Sequence, residues 1–193
     1  MPAFDVLAIA SSAGGLAALE RVLEGLAPDF PAPILIVQHL DPRHRSLMAD
    51  ILGRHTDLKV KQAQEGDAII AGTVSVAPPN RHLLARPDHT LTLTDSELVH
   101  FVRPSADLLF ESVAASFRER AIAVVLTGSG SDGAMGVGAI KKMGGTVIVQ
   151  DERSAEFPGM PGAAIATGNV DFILRLDEIP DALNRLLEDH DDD

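Results

Sequence analysis

The sequence contains no cysteine among its 193 residues. This absence excludes disulfide bonds, thiolate metal sites and cysteine nucleophiles. It is also compatible with a reducing compartment, and we expect a cytoplasmic protein. The sequence lacks a basic segment before its first apolar run, and no apolar run approaches the roughly 20 residues that a membrane span needs. We therefore expect neither export nor membrane insertion.

Basic residues are scarce as well. There are 16 Lys and Arg against 28 Asp and Glu, which gives a formal net charge of −12. Such a charge repels phosphate backbones, so nucleic acid is not an expected partner. The length suits one sizeable core, and no repeat or linker divides the chain. We expect a single domain over residues 1–193, with a frayed acidic C-terminus over 183–193.

Short aliphatic runs alternate with helical patterns along most of the chain. Nearly continuous aliphatic runs predict doubly buried parallel strands, and more polar runs predict further strands. The first group lies at 4–10, 33–38, 121–127 and 145–150, and the second at 58–63, 73–78 and 170–174. Apolar residues at helical spacing predict helices at 15–26, 46–56, 104–117, 133–144 and 178–189.

Residues 82–100 interrupt this alternation. They alternate around the turn signal Arg86-Pro87-Asp88-His89, which predicts an antiparallel hairpin inserted at a sheet edge. The expected fold is therefore α/β: a doubly wound, mostly parallel sheet with helices on both faces and an inserted antiparallel hairpin.

Reactive side chains follow three of the predicted strands, and ligands of such sheets sit beyond the carboxyl ends of strands. The first strand ends in "ASSAGG", which has alanine and serine at the first two glycine positions of a dinucleotide fingerprint and lacks the Gly-Lys of a P-loop. Its small residues instead fit a nucleophile elbow, and that frame selects Ser12 over Ser11 as nucleophile. The alternative is that either serine caps the following helix.

His39 follows the second strand. It could be an ordinary loop histidine, a metal ligand with Asp41 and His44, or a general base for a serine. The His-x₄-His spacing is interrupted by a proline and has no fixed geometry, so the base interpretation is favoured.

Asp132 lies in "TGSGSDG" after the long central strand. It could belong to a simple turn before a helix. Its carboxylate could also orient His39, while backbone N–H groups of the glycine-rich turn stabilise an oxyanion.

Six segments in this order resemble the catalytic domain of CheB-type chemotaxis protein-glutamate methylesterases, over about residues 4–180. They are "IASSAGGL", "ILIVQHLDP", "VAPPNRHL", "RPSADLLFESVA", "VVLTGSGSDGAMG" and "PGMPGAAIATG". The resemblance implies a doubly wound α/β fold with a hairpin. It also implies hydrolysis of glutamate methyl esters on chemoreceptors or other methyl-accepting sensory proteins, and deamidation of receptor glutamines in some members. Neither a cofactor nor a metal is implied.

By this resemblance Ser12 is the nucleophile, His39 the base and Asp132 the triad carboxylate. The oxyanion donors are the backbone N–H groups of Ala13 and Ser129. Arg103 matches an arginine near the cleft, where it would bind substrate or form a salt bridge. The segment after His39 is more similar to fused methylesterase–methyltransferase sensory proteins than to the chemotaxis members.

Family members usually carry an N-terminal phosphorylatable receiver domain. Because the first predicted strand begins at Phe4, we expect a stand-alone catalytic domain. Two other functions stay open: a non-catalytic signalling module with this fold, and a small-molecule carboxylesterase with the same triad.

Overall fold

The computed structural model describes residues 4–41, 43 and 45–188. Nine strands, six α-helices and two short 3₁₀ helices follow one another in the described part of the chain. The strands are β1 (Val6–Ser11), β2 (Ile34–Gln38), β3 (Lys59–Gln62), β4 (Thr73–Val76), β5 (His82–Ala85), β6 (Leu91–Thr94), β7 (Ala121–Val125), β8 (Thr146–Gln150) and β9 (Phe172–Leu174). The helices are α1 (Gly15–Glu24), α2 (Met48–Leu52), α3 (Ala106–Phe117), α4 (Ala134–Lys142), α5 (Gly159–Ala166) and α6 (Ile179–Glu188).

Seven strands form one parallel sheet in the order β3-β4-β2-β1-β7-β8-β9. The chain runs outward from β1 to β2 and then to β3 at the edge, fills the gap between them with β4, and later returns to the other side of β1 as β7. The carboxyl ends of β2, β1 and β7 therefore lie side by side at the point where the winding direction reverses, which is where open α/β sheets bind ligands.

Alternate residues of the central strand enter two separate cores, because successive side chains of a strand point to opposite faces. Val6, Ala8 and Ala10 pack with residues of α3, α4, α5 and the β5–β6 hairpin. Leu7 and Ile9 pack with residues of α1, α2 and α6. Both faces of the sheet are thus covered, which confirms the predicted doubly wound class.

The hairpin differs from the prediction in its position. β5 and β6 pair with each other as a separate two-stranded sheet and do not extend an edge of the main sheet. Leu83 and Leu91 are fully buried in the core on the α3 side. The hairpin therefore lies over α3, and the helix covers its apolar face. At an edge of the sheet this face would be half exposed.

The C-terminal end also differs from the expectation. Residues 183–188 form the second half of α6, where Leu183 and Leu187 are buried on the α1 side of the sheet. The last five residues, 189–193, lie outside the described residues. Within the described part of the chain, no helix is both long enough and apolar enough to cross a membrane.

Candidate active site

Ser12 directly follows β1, in a sharp turn into α1. Gly14 has a positive φ of 74°, and Gly15 has no room for a side chain, since a Cβ there would lie 2.0 Å from Gln38 Oε1. Gly14 therefore needs the conformational freedom of glycine, and Gly15 needs its small size. Gly14 is the N-cap of α1 and no side chain caps this helix, so the helix-cap interpretation of the two serines is wrong.

Ser11 and Ser12 occupy different environments. Ser11 is fully buried, and its hydroxyl donates a hydrogen bond to Gln38 Oε1 at 2.5 Å. The Ser12 side chain is partly exposed, and its hydroxyl forms no hydrogen bond with any described residue. The structure thus leaves Ser12 with an available hydroxyl and gives Ser11 a role in the framework.

Gln38, the last residue of β2, joins the Ser12 turn to the His39 turn. Its amide Nε2 donates to the backbone carbonyl of Ser12 at 2.8 Å and to that of His39 at 3.1 Å. The backbone N–H of His39 in turn donates to the carbonyl of Ser11 at 3.2 Å. A single buried amide therefore holds both turns together. The sequence pattern predicts no role for Gln38, although a polar residue at the end of a buried strand is a signal for one.

His39 and Asp132 form a hydrogen-bonded pair in the site. The distance from His39 Nε2 to Asp132 Oδ2 is 2.7 Å, and the two side chains are 17% and 4% exposed. An ionised carboxylate can only accept hydrogen bonds, so His39 Nε2 carries a proton and donates it. The second ring nitrogen, Nδ1, is then the one that can accept a proton.

The Asp132 carboxylate is held by several donors besides His39. It accepts the N–H of Ala106 at 2.7 Å, the N–H of Asp107 at 3.1 Å and the hydroxyl of Ser105 at 3.1 Å. Burial on its own would raise the pKa of Asp132, but the hydrogen bonds from His39 and these N–H groups outweigh it and hold the pKa below its ordinary value. Asp132 therefore stays ionised and can stabilise a protonated imidazole.

The loop after β7 approaches Ser12 closely. A Cβ on Gly128 would lie 2.8 Å from the Ser12 Cβ and 2.3 Å from the Met160 sulfur, so only glycine fits there. Ala13 directly follows Ser12, and Ser129 directly follows Gly128. Their backbone N–H groups are the predicted oxyanion donors. Neither donates a hydrogen bond to any described residue, which leaves both N–H groups available to an oxyanion.

A cavity of about 300 Å³ adjoins the imidazole. Its lining consists of His39, Leu40, Asn80, Leu98, Phe101, Val102 and Arg103. Arg103 donates to Asn80 Oδ1 and to the carbonyl groups of Asp95 and Ser96, so it anchors the segment after the hairpin and forms no ion pair with a described residue. Its predicted contact with substrate stays a prediction.

The alternative metal site had Asp41 and His44 as partners of His39. His44 lies outside the described residues. Among the residues that the structure describes, no three His, Asp or Glu side chains come together as metal ligands.

Comparisons with known proteins identify the family of the chain. The family model for CheB methylesterase matches residues 7–183. A protein of Leptospira interrogans, whose name places it in the protein-glutamate methylesterase/protein-glutamine glutaminase class, is 41% identical over 183 residues, which are 95% of each chain. A protein-glutamate methylesterase/protein-glutamine glutaminase of Anaeromyxobacter dehalogenans is 43% identical over 94% of this chain and 53% of its own length.

A solved structure gives the same result. The crystal structure of the Thermotoga maritima CheB methylesterase catalytic domain superposes with a TM-score of 0.91 at 34% identity, covering 95% of this chain and 98% of that one. The expected class of enzyme, a methylesterase and hence a carboxylic ester hydrolase of chemotaxis, is confirmed by these matches. The chain belongs to the CheB methylesterase family.

Proposed function

We propose that this chain hydrolyses glutamate methyl esters on a methyl-accepting sensory protein, with Ser12 as nucleophile, His39 as base and Asp132 as the carboxylate that orients His39. The observation that carries the proposal is the 2.7 Å hydrogen bond between His39 and Asp132. The pair lies, with the available Ser12 hydroxyl, beyond the carboxyl ends of neighbouring strands. A hydroxyl, an imidazole and an ionised carboxylate in this order form the acyl-transfer machinery of serine hydrolases.

The reaction then runs in two halves. His39 Nδ1 takes the Ser12 proton as Oγ attacks the ester carbonyl, and the N–H groups of Ala13 and Ser129 stabilise the tetrahedral oxyanion. The carbon–oxygen bond to the methoxy group breaks, and methanol leaves with the proton from His39. In the second half, His39 removes a proton from water, which attacks the acyl-enzyme and releases Ser12 and the free glutamate carboxylate.

The same machinery can act on a glutamine side chain, with ammonia as the leaving group in place of methanol. Relatives at 41% and 43% identity carry both activities in their names. We therefore include deamidation of glutamine in the proposal.

The surface beside the base favours a protein substrate over a small ester. Phe101 is 94% exposed and Leu98 53% exposed, and both line the cavity that His39 borders. Contiguous exposed apolar surface is typical of sites that bind another macromolecule. The proposed place of action is the cytoplasm, which the absence of cysteine supports.

The test is release of labelled methanol from a receptor domain whose glutamates carry labelled methyl esters. The expected result is release by the wild-type chain and none above background by Asp132→Ala or Ser12→Ala. A small activated ester serves as the comparison substrate. Efficient turnover of the small ester alone would favour the carboxylesterase alternative, and turnover of neither substrate would favour a non-catalytic signalling module.

A further inference from the structure

Two buried carboxylates cap helices at the α3–α4 contact: Asp132 caps the N-terminus of α3, and Asp107 caps that of α4. This reciprocal arrangement is called the cap exchange. The Asp132 carboxylate accepts the first backbone N–H groups of α3, from Ala106 and Asp107. In return, Asp107 Oδ1 accepts the N–H of Gly133 at 3.0 Å and of Gly136 at 2.8 Å, at the start of α4. Neither helix is capped by its own N-cap side chain. The N-terminus of α3 is thus satisfied by a carboxylate from the turn before α4, and the N-terminus of α4 by a carboxylate from α3.

The exchange bears directly on the active site, because Gly133 is the residue after Asp132. The turn that carries Asp132 contains Gly130 and Gly133, whose φ angles of 83° and 97° are positive. Glycines give such a turn conformational freedom, and a Cβ at Gly130 would meet nothing within 4 Å. The bond from the Gly133 N–H to Asp107 fixes the peptide unit from which the Asp132 side chain extends.

Asp107 is an unfavourable residue for packing alone. It is 2% exposed, and its Oδ2 is a buried oxygen with no hydrogen-bond partner among the described residues. Burial raises the pKa of Asp107, and the neighbouring negative charge of Asp132 raises it further, against the opposing effect of the Gly136 and Gly133 N–H groups. An apolar side chain would avoid this desolvation. What the carboxylate adds is the pair of bonds to the start of α4.

We propose that Asp107 is a positioning residue of the methylesterase site, which fixes the Asp132 turn so that the triad carboxylate meets His39. This inference rests on the proposed function, in which Asp132 orients His39. Asp107 touches neither His39 nor Ser12 through any hydrogen bond in the structure, so it acts through the backbone of the Asp132 turn.

Three variants separate positioning from a merely structural role. Asp107→Ala removes the acceptor, Asp107→Asn keeps a carbonyl oxygen that can accept the two N–H groups, and Val113→Ala is the matched control. Val113 is fully buried further along the same helix, so its truncation also costs stability but leaves the cap exchange intact. All are assayed at a temperature where thermal unfolding shows each variant folded.

Two readouts are used: kcat and KM for methanol release, and the rate constant for labelling of Ser12 by a fluorophosphonate. The second reports activation of the nucleophile without any receptor. Asp107→Ala should lower kcat and the labelling rate by about 10- to 100-fold with little change in KM, since a small misplacement of a catalytic group has effects of this order. Asp107→Asn should restore most of both rates, and Val113→Ala should keep them.

Equal rates for Asp107→Ala and Val113→Ala would overturn the inference. An Asp107→Asn protein that is labelled as slowly as Asp107→Ala, or that fails to fold, would also overturn it. The reason is that the inference assigns the positioning role to the acceptor oxygen alone, which asparagine keeps. Asp132→Ala is measured in parallel. If Asp132→Ala labels as fast as the wild type, the triad assignment fails and the role of Asp107 fails with it. If only Asp132→Ala is slow, the triad stands and the positioning role is wrong.

Discussion

At the residue scale, two adjacent serines separate into a reactive and a structural one. They share a turn and differ in burial and in the partner of their hydroxyl: Ser11 is buried against Gln38, and Ser12 is available at the surface of the turn. The elbow pattern favours Ser12 from spacing alone. The reason why Ser11 is not equivalent lies in Gln38, which belongs to another strand, so the pattern around the serines cannot reveal it.

We expect Ser12→Ala and Ser11→Ala to separate activity from stability. Ser12→Ala should lower the rate of methanol release by on the order of 10³-fold or more, because triad members act as a unit. Ser11→Ala should keep most of the rate and lower the free energy of unfolding by about 1–3 kcal/mol, since Gln38 Oε1 loses its buried donor. Methanol release and urea unfolding measure the two effects. Similar activities in the two variants would contradict the assignment of Ser12.

The residues missed by sequence reasoning all act through another residue. Gln38 holds the Ser12 and His39 turns, and Asp107 holds the Asp132 turn. Ser12, His39 and Asp132 could be proposed because reactive side chains follow predicted strands. Asp107 lies in the first turn of α3, where an acidic residue is common because of the helix dipole alone. Only the contact between α3 and α4 shows where its carboxylate goes.

At the element scale, the prediction succeeds where burial decides the pattern. The four aliphatic runs form β1, β2, β7 and β8, because strands covered on both faces leave few positions for a polar side chain away from their ends. The more polar runs form β3, β4 and β9 nearer the sheet edges. The helix expected over 46–56 is reduced to Met48–Leu52, and α5 was not predicted, since "GMPGAAIA" has no amphipathic pattern to indicate a helix.

Close packing of α3 against α4 brings Asp132 within reach of the N-terminus of α3 and Asp107 within reach of that of α4. A Cβ on Gly136 would lie 2.7 Å from the Phe110 Cβ and 3.1 Å from the Asp107 Cα. Gly138, two residues further along α4, would place its Cβ at an ordinary 3.5 Å from the Asn169 amide nitrogen. Two glycines of one helix therefore have opposite tolerance for a methyl group.

We expect Gly136→Ala to push α3 and α4 apart. It should lower the free energy of unfolding by about 1–3 kcal/mol through overpacking, and it should slow fluorophosphonate labelling of Ser12 because the Asp132 turn moves. Gly138→Ala should raise the free energy of unfolding by about 0.5–1 kcal/mol, the usual gain of Ala over Gly inside a helix, and keep the labelling rate. Urea unfolding and labelling kinetics test both. A Gly136→Ala protein as stable and as reactive as Gly138→Ala would show that this contact does not position the site.

At the scale of the whole molecule, the charge distribution is unbalanced in a way that the local ion pairs cannot correct. The described salt bridges join side chains that are mostly partly exposed, such as Arg21 with Asp177 and Lys141 with Asp171. Exposed pairs contribute about 0–1 kcal/mol each. With 28 acidic and 16 basic residues, pairing every base would still leave 12 negative charges to repel one another.

We therefore expect added NaCl to stabilise the chain at pH 7.5. Salt screens the long-range repulsion of the excess carboxylates over distances greater than the Debye length, and it weakens the exposed ion pairs by a smaller amount. A net gain of about 1 kcal/mol would raise Tm by about 2–4 °C for a chain of this size between 0.05 and 0.5 M NaCl. The control is the same series at pH 5, near the isoelectric point of about 4.9, where little net charge is left to screen. A Tm that falls with salt at pH 7.5, or rises equally at both pH values, would show that self-repulsion does not limit the stability of this protein.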